Sequence, residues 1–242
     1  FMEELSTTFH LYMEDPIITM AVPAIDWSNA WDIDRLYNIV DGLFIMGYNY
    51  FYSGSQSAGP ISPLGGYFYD LSYTIDDYIN KTNGQTEKLI LGLPYYGYDW
   101  PVINSSINSN TLDFGVPKTF AQYKMSYNDY DYYLDNLSNA SWIPYYNYQT
   151  NSWNQYWFDD AETLSRKYDF AKSNNLLGIG IWALGYDDDY PDLWNVLNDN
   201  FKSQTDGDIN NDSVINIQDI ILIVNLIING TISDISADLN SD

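Results

Sequence analysis

Two groups of side chains in this sequence have the types and spacing to do chemistry. The first is built from aromatics and an amide. Met46-Gly47-Tyr48-Asn49, Tyr96-Gly97-Tyr98 and Trp182 each close an apolar run. A phenol can donate a hydrogen bond, and an indole can offer a flat apolar face to a ligand. The second group is an oxygen series: Asp208, Asn210, Asp212, Val214, Asn216 and Asp219 fall at positions 1, 3, 5, 7, 9 and 12 of one stretch. Alternating oxygens closed by a carboxylate, with Val214 giving its backbone carbonyl, form the pattern that wraps a hard cation such as Ca²⁺. Ser213 replaces the usual Gly at position 6, which costs about 1 kcal/mol where that turn requires positive φ.

Composition narrows the chemistry. The 242 residues contain no Cys and one His, His10, so disulfides, thiolate zinc sites and Cys nucleophiles are excluded. His10 lies in a helix-like run and reads as an incidental residue rather than the base of a triad. Any hydrolysis here must use carboxylates, amides, phenols or metal. Lys+Arg 9 against Asp+Glu 33 gives a net charge of −24, which repels nucleic acid and anionic membrane surfaces. No apolar run approaches the roughly 18 residues that a membrane span needs. Glu occurs only at Glu3, Glu4, Glu14, Glu87 and Glu162, so most of the acid is Asp, a residue of turns, caps and calcium loops. The 24 Tyr and 8 Trp suit sugar-stacking clefts and ordinary cores alike.

The elements that must position these groups alternate. Met2–Glu14 reads as an amphipathic helix with Leu5, Phe9 and Tyr12 on one face, stopped by Pro16. Four apolar runs, Ile17–Ala24, Gly42–Tyr50, Lys88–Tyr96 and Leu177–Leu184, read as strands buried on both faces. Helices are expected over Trp31–Val40, Tyr67–Lys81, Asp159–Asn174 with Asp160 as its cap, and Pro191–Phe201. Residues 98 to about 158 form an insertion before the last strand, with a hairpin of Trp142–Tyr148 and Trp153–Phe158. The expectation is an α/β fold: the last four strands of a (β/α)₈ TIM barrel, whose site lies at the C-terminal strand ends. Asp26 and Trp27 after the first run, and Asp99 and Trp100 after the third, are then candidates for lining the cleft. Asp187-Asp188-Asp189 reads as a solvated capping run.

At this point the sequence resembles glycoside hydrolase family 18, the chitinase-like barrels. Met46-Gly47-Tyr48-Asn49 is similar to the family's Met-x-Tyr-Asp/Asn segment, and Ala58-Gly59-Pro60-Ile61-Ser62-Pro63-Leu64 to its Ala-Gly-Pro-x-x-Pro-Leu loop. Gly92-Leu93-Pro94-Tyr95-Tyr96-Gly97 resembles Gly-x-Pro-x-Tyr-Gly, and Gly178–Trp182 the last-strand pattern ending in Trp. The resemblance implies substrate-assisted hydrolysis of N-acetylglucosamine linkages, in which the substrate's acetamido oxygen attacks the anomeric carbon. It implies Tyr48 as the donor to that oxygen, Asn49 holding the acetamido group or the acid, Met46 at the base, and Trp182 under the sugar. Tyr96, Asp26, Trp27 and Trp100 are the further substrate-binding candidates, and no cofactor is implied for catalysis. The family's Asp-x-x-Asp-x-Asp-x-Glu string, which carries the general acid, does not occur. Residues 1–242 alone are therefore expected to be inactive.

The tail repeats itself. After the Asp208–Asp219 loop comes an apolar helix over Asn216–Ile228, and Ala237–Asp242 opens a second loop. This resembles a truncated type I dockerin, a calcium-binding module that docks on cohesins. The expected organisation is a barrel segment over 1–203 and a small α-helical EF-hand-like dockerin segment over 204–242. The resemblance implies a protein that is secreted or attached to the cell surface, with an N-acetylglucosamine polysaccharide or oligosaccharide and a cohesin-like scaffold as partners. A non-catalytic chitin- or peptidoglycan-binding barrel is the alternative reading.

Overall fold

Strand β1 (Thr19–Pro23) pairs in parallel with β2 (Gly42–Met46), and β2 with β3 (Leu89–Pro94). Parallel neighbours need a crossover, and helices supply it: α1 (Met2–Tyr12) precedes β1, α2 (Ile33–Ile39) joins β1 to β2, and α3 (Leu71–Lys81) joins β2 to β3. The chain then leaves this sheet through β4 (Tyr96–Val102), β5 (Val116–Thr119), α4 (Phe120–Ser126), β6 (Tyr133–Asp135), β7 (Ala140–Asn147) and β8 (Ser152–Phe158). It returns through α5 (Ala161–Ser173) to β9 (Gly178–Trp182), which pairs with β3, before α6 (Asp192–Phe201) and α7 (Ile217–Asn229). This computed structural model describes residues 1–202, 209, 210, 214 and 216–229. The chain divides into units of Phe1–Asn200 and Phe201–Asp242.

The first unit carries two sheets. One is parallel, in the order β1-β2-β3-β9; the other is antiparallel, in the order β5-β4-β8-β7-β6. The parallel sheet is open, with β1 and β9 at its edges, and no closed barrel forms among the described residues. Leu43 and Ile45 of β2 and Leu89, Leu91 and Leu93 of β3 are buried in one core with Ile75, Tyr78, Leu164 and Tyr168 from the helices. The opposite face of the sheet is crowded by Phe44. A Cβ at Gly92 or Gly180 would collide with its ring, which is why those two strand positions carry no side chain.

Most helix ends follow the local rules. Asp70 caps α3 through Tyr73 N, and Asp160 caps α5 through a reciprocal box with Thr163. Leu164, Tyr168 and Ala171 share the buried face of α5, as their spacing predicts. Helix α1 forms, but none of its residues is buried, and Phe9 and Tyr12 stand in solvent. It is tied to α2 by the exposed Glu3–Arg35 pair at 2.7 Å and by Ser6 Oγ, which donates to Ile39 O at 3.3 Å. Glu3 thus sits in a helix. His10 is exposed on the same helix, with Nδ1 2.8 Å from Ser6 O.

The insertion holds more structure than its predicted hairpin. That hairpin is β7–β8, and β4, β5 and β6 extend it into a five-stranded sheet. A second core forms on β4, β7 and β8, where Trp142 stacks on Trp157 at 5.4 Å, while α4 packs Phe120 and Tyr123 into the first core. No helix among the described residues is long and apolar enough to cross a membrane.

Candidate active site

Sheet register gathers the strand ends. Pro23 lies opposite Met46, and Pro94 opposite Trp182, so the segments that follow leave from one edge. At β2 the turn is tight: Gly47 N donates to Gly92 O at 3.0 Å, and a Cβ on Gly47 would stand 2.7 Å from that oxygen. Only glycine fits there, and it turns the next residue, Tyr48, out of the sheet. The 58–64 loop folds back to hold this turn. Ser62 Oγ, fully buried, donates to Gly47 O at 2.6 Å, and Tyr50 N donates to Ile61 O at 3.1 Å. Asn49 follows with φ +62°, in the left-handed region that Asn tolerates better than most residues.

Four predicted residues converge. The Tyr48 and Trp182 rings are 6.5 Å apart and tilted by 33°, and Tyr48 meets Tyr96 edge-on at 6.2 Å. Tyr96 donates its hydroxyl to Asn49 Oδ1 at 2.7 Å, which fixes the amide and leaves its NH₂ group as the donor toward the cleft. Burial raises the Tyr48 phenol above its ordinary value, and it raises Tyr96 likewise. Both therefore remain protonated donors at neutral pH. The Trp182–Ala183 peptide is cis, and the Trp182 ring is half exposed.

Two hollows meet at Asn49. One, of about 330 Å³, is lined by Asn49, Tyr96, Tyr98, Lys118, Thr119, Trp182 and Tyr186. The other, of about 390 Å³, is lined by Trp27, Met46, Tyr48, Asn49, Tyr50, Tyr52 and Tyr69 among others. No carboxylate lines either of them. A larger, more open hollow of about 550 Å³ lies against residues 53–56 and 110–114, and none of the strand-end residues reaches it.

Three expectations need correcting. Trp100 does not line the cleft: it is 0% exposed and donates its indole N–H to Ser53 O at 3.1 Å. Its neighbour Asp99 is also buried, accepting from Tyr127, Tyr145 and Asn154. The cause is that a single residue, Tyr95, separates β3 from β4, so these positions belong to the second sheet. Asp26 lines neither hollow. Partial desolvation works against its charge, but N–H bonds from Trp31, Ala30 and Ser28, with Lys81 nearby, hold its carboxyl below the ordinary value. Ala30 N and Trp31 N each lie 3.0 Å from its oxygens, so it fastens the loop that carries Trp27. Asp187, read as solvated, is 1% exposed.

Tyr98, which closes the third apolar run, lines the first hollow, but sequence reasoning missed Lys118, Thr119 and Tyr186, along with Tyr52 and Tyr69. Of these, Lys118 and Thr119 come from β5, which no local pattern marked.

Residues 1–187 match the family description "Glycosyl hydrolases family 18". The chain belongs to that family. Among curated relatives, it is 28% identical over 178 residues to the cortical fragment-lytic enzyme of Bacillus subtilis, covering 73% of this chain and 38% of that protein. It is 27% identical over 225 residues to the di-N-acetylchitobiase of Homo sapiens, covering 81% of this chain and 57% of that one. The chain thus spans 38% and 57% of the length of these two relatives. The family fold is shared with a chitinase of Cycas revoluta solved in complex with (GlcNAc)3, at TM-score 0.72 and 18% identity over 82% of this chain and 61% of that one. It is shared as well with a chitinase-like agglutinin from Robinia pseudoacacia, at TM-score 0.67 and 18% identity over 82% and 59% of the two chains.

In the second unit, Asp219 is buried and accepts the N–H groups of Ile209, Asn210 and Asn216 at 2.8, 3.2 and 2.8 Å. These bonds hold its carboxyl below the ordinary value and draw the loop onto the start of α7. The side chains of Asn210, Asn216 and Asp219 and the carbonyl of Val214 are all hard-oxygen donors, the chemistry that calcium takes. Asp208, Asp212 and the second loop at 237–242 lie outside the described residues.

Proposed function

We propose that this chain forms part of a secreted or surface-attached glycosidase that hydrolyses N-acetylglucosamine-containing polysaccharide with the substrate's own acetamido group as nucleophile. The observation that carries the reading is the placement of the Tyr48 and Trp182 rings 6.5 Å apart in one cleft, with Asn49 between the two hollows. Trp182 takes the apolar face of the sugar. The acetamido oxygen attacks the anomeric carbon as the bond to the leaving oxygen breaks. Tyr48, a neutral phenol whose pKa burial raises further, donates its O–H to the acetamido oxygen, and Asn49, oriented by Tyr96, offers N–H bonds to the same group. The leaving oxygen still needs a proton, and general acid assistance is worth roughly 10²–10⁴-fold. With no carboxylate lining the hollows, residues 1–242 bind sugar but do not turn it over. The acid comes from a part of the barrel outside these residues.

Reducing-end release from chitooligosaccharides tests this. The full-length protein is expected to release product, and Trp182→Ala to lose that activity. Failure of the full-length protein to bind chitooligosaccharide refutes it. The absence of a lining carboxylate favours a second reading, a glycan-binding barrel without catalysis, which predicts binding with no product.

For the second unit, the proposal is a structural calcium held by Asp208, Asn210, Asp212, Val214, Asn216 and Asp219, within a dockerin-like segment that docks on a cohesin-like scaffold. The oxygen-only donor set supports it. Titration calorimetry with Ca²⁺ is expected to give heat that Asp208→Ala abolishes; no heat from the unmodified chain refutes the site.

A further inference from the structure

The chain has Lys+Arg 9 against Asp+Glu 33, so a basic side chain without an acidic partner is an exception here. Six of the bases form ion pairs with Asp or Glu. Lys88 donates to the carbonyls of Tyr37 and Val40 at 3.2 and 2.9 Å. Lys118 does neither. Among the described residues, no carboxylate or other acceptor takes its ammonium group.

Its position gives that vacancy a use. Lys118 is half-buried on β5, the edge strand of the second sheet, and lines the hollow that also holds Asn49, Tyr96 and Trp182. A lysine on a sheet edge discourages pairing with another sheet, but that task is served in open solvent and does not need a cleft wall. Nothing else lining this hollow is charged. Asp99, on the neighbouring strand β4, already accepts from Tyr127, Tyr145 and Asn154, and so leaves the ammonium without a counter-ion. A carboxylate brought to a partly desolvated ammonium makes a stronger bond than one at an exposed surface pair.

The rest of the lining sets the ligand's chemistry. Trp182 offers an apolar face, and Asn49, with its Oδ1 taken by Tyr96, offers its NH₂ group; both suit a neutral acetamido sugar. The chain as a whole, at −24, repels densely charged polymers. One ammonium beside these groups therefore fits a sugar chain in which a single carboxylate sits on the neighbouring unit. Chitin has none. A lactyl ether on N-acetylglucosamine, which makes N-acetylmuramic acid, supplies one on every second sugar of an alternating chain.

We propose that Lys118 is a specificity-determining residue that pairs with a lactyl carboxylate next to the sugar on Trp182, so that the preferred ligand is the alternating N-acetylglucosamine–N-acetylmuramic acid chain of peptidoglycan rather than chitin. This rests on the reading of the Tyr48–Trp182 cleft as the sugar site.

The test is calorimetric binding of thio-linked, non-hydrolysable tetrasaccharides to the full-length protein. The ligands are the alternating muramic chain, the same chain with its carboxylates methyl-esterified, and chitotetraose. The carboxylate form is expected to bind about tenfold more tightly than its ester, equivalent to about 1.4 kcal/mol, and the margin should shrink as salt rises. Lys118→Met should remove the margin and Lys118→Arg should keep most of it. An unchanged melting temperature for Lys118→Met is the folding control. A margin absent from the unmodified protein, or one that survives Lys118→Met, overturns the assignment. A hyaluronan tetrasaccharide carries its carboxylates on the ring; tighter binding of it than of the muramic ligand overturns the lactyl source of the charge. If the unmodified protein binds none of these ligands, the sugar-site reading itself falls.

Discussion

Replacing Tyr48 by Phe removes one oxygen from the centre of the cleft, and the structure sets what that should cost. Among the described residues nothing accepts from or donates to the Tyr48 hydroxyl. Its removal strands no partner, and stability should change by no more than about 0.5 kcal/mol. In the reaction the same hydroxyl donates to the acetamido oxygen and aims it at the anomeric carbon; the charge that develops on the acetamido group is positive, so the bond acts by holding the attack geometry and not by stabilising that charge. A neutral hydrogen bond is worth about 0.5–1.5 kcal/mol, and each 1.36 kcal/mol is tenfold in rate, so kcat should fall by roughly 2- to 13-fold. Because the loss is one of orientation within the bound complex, KM should move less than kcat. Steady-state kinetics of the full-length enzyme on a fluorogenic chitobioside, with a thermal melt as control, measures both. An unchanged kcat, or a raised KM at constant kcat, refutes the assigned role. Tyr96→Phe makes the contrast: it frees the acceptor Asn49 Oδ1, now held at 2.7 Å, so it should disturb binding as well as rate.

Two further predictions concern the frame behind the site. Lys167 and Asp159 form a fully buried ion pair. Burial lowers the Lys167 pKa and raises that of Asp159, so desolvation outweighs attraction for both partners. Lys167→Met should then cost about 3–5 kcal/mol by isolating a buried carboxylate, while adding Asp159→Leu should recover most of the loss. Urea unfolding measures this, and a double variant no more stable than the single one overturns it. Burial also pushes the Tyr67 and Tyr123 phenols up to about 12. Between the ordinary phenol value of about 10 and that figure, the unfolded chain gives up these protons and the folded one does not. Stability is therefore full below about pH 10 and falls as pH rises toward 12; a flat melting temperature across that window refutes the argument.

Much of the frame was legible because its causes are local. The apolar runs became β1, β2, β3 and β9, each starting or ending within a few residues of expectation; β2 and β3 are largely buried, as a continuous apolar run predicts, whereas the edge strands β1 and β9 are mostly half-buried or exposed. Asp160 capped α5 as read. The insertion was largely illegible: β4, β5, β6 and α4 are short, and polar and aromatic residues are mixed in them without a clean period. Misplacing Asp99 and Trp100 follows from this. A polar-aromatic pair after a buried strand looks the same whether it opens a cleft or continues into a new sheet.

The sequence by itself determined which residue types could act, the family to which they belong and the alternation of strand and helix, because these depend on side-chain chemistry and near neighbours. Only the tertiary structure decided which of them meet. Parallel register set Trp182 opposite Pro94 and, with Gly47 and Ser62, brought Tyr48 round to face it. Contacts between residues distant in sequence leave no local pattern, so Trp27 and Trp100 looked alike along the chain and came to opposite ends, one in solvent and one in the core.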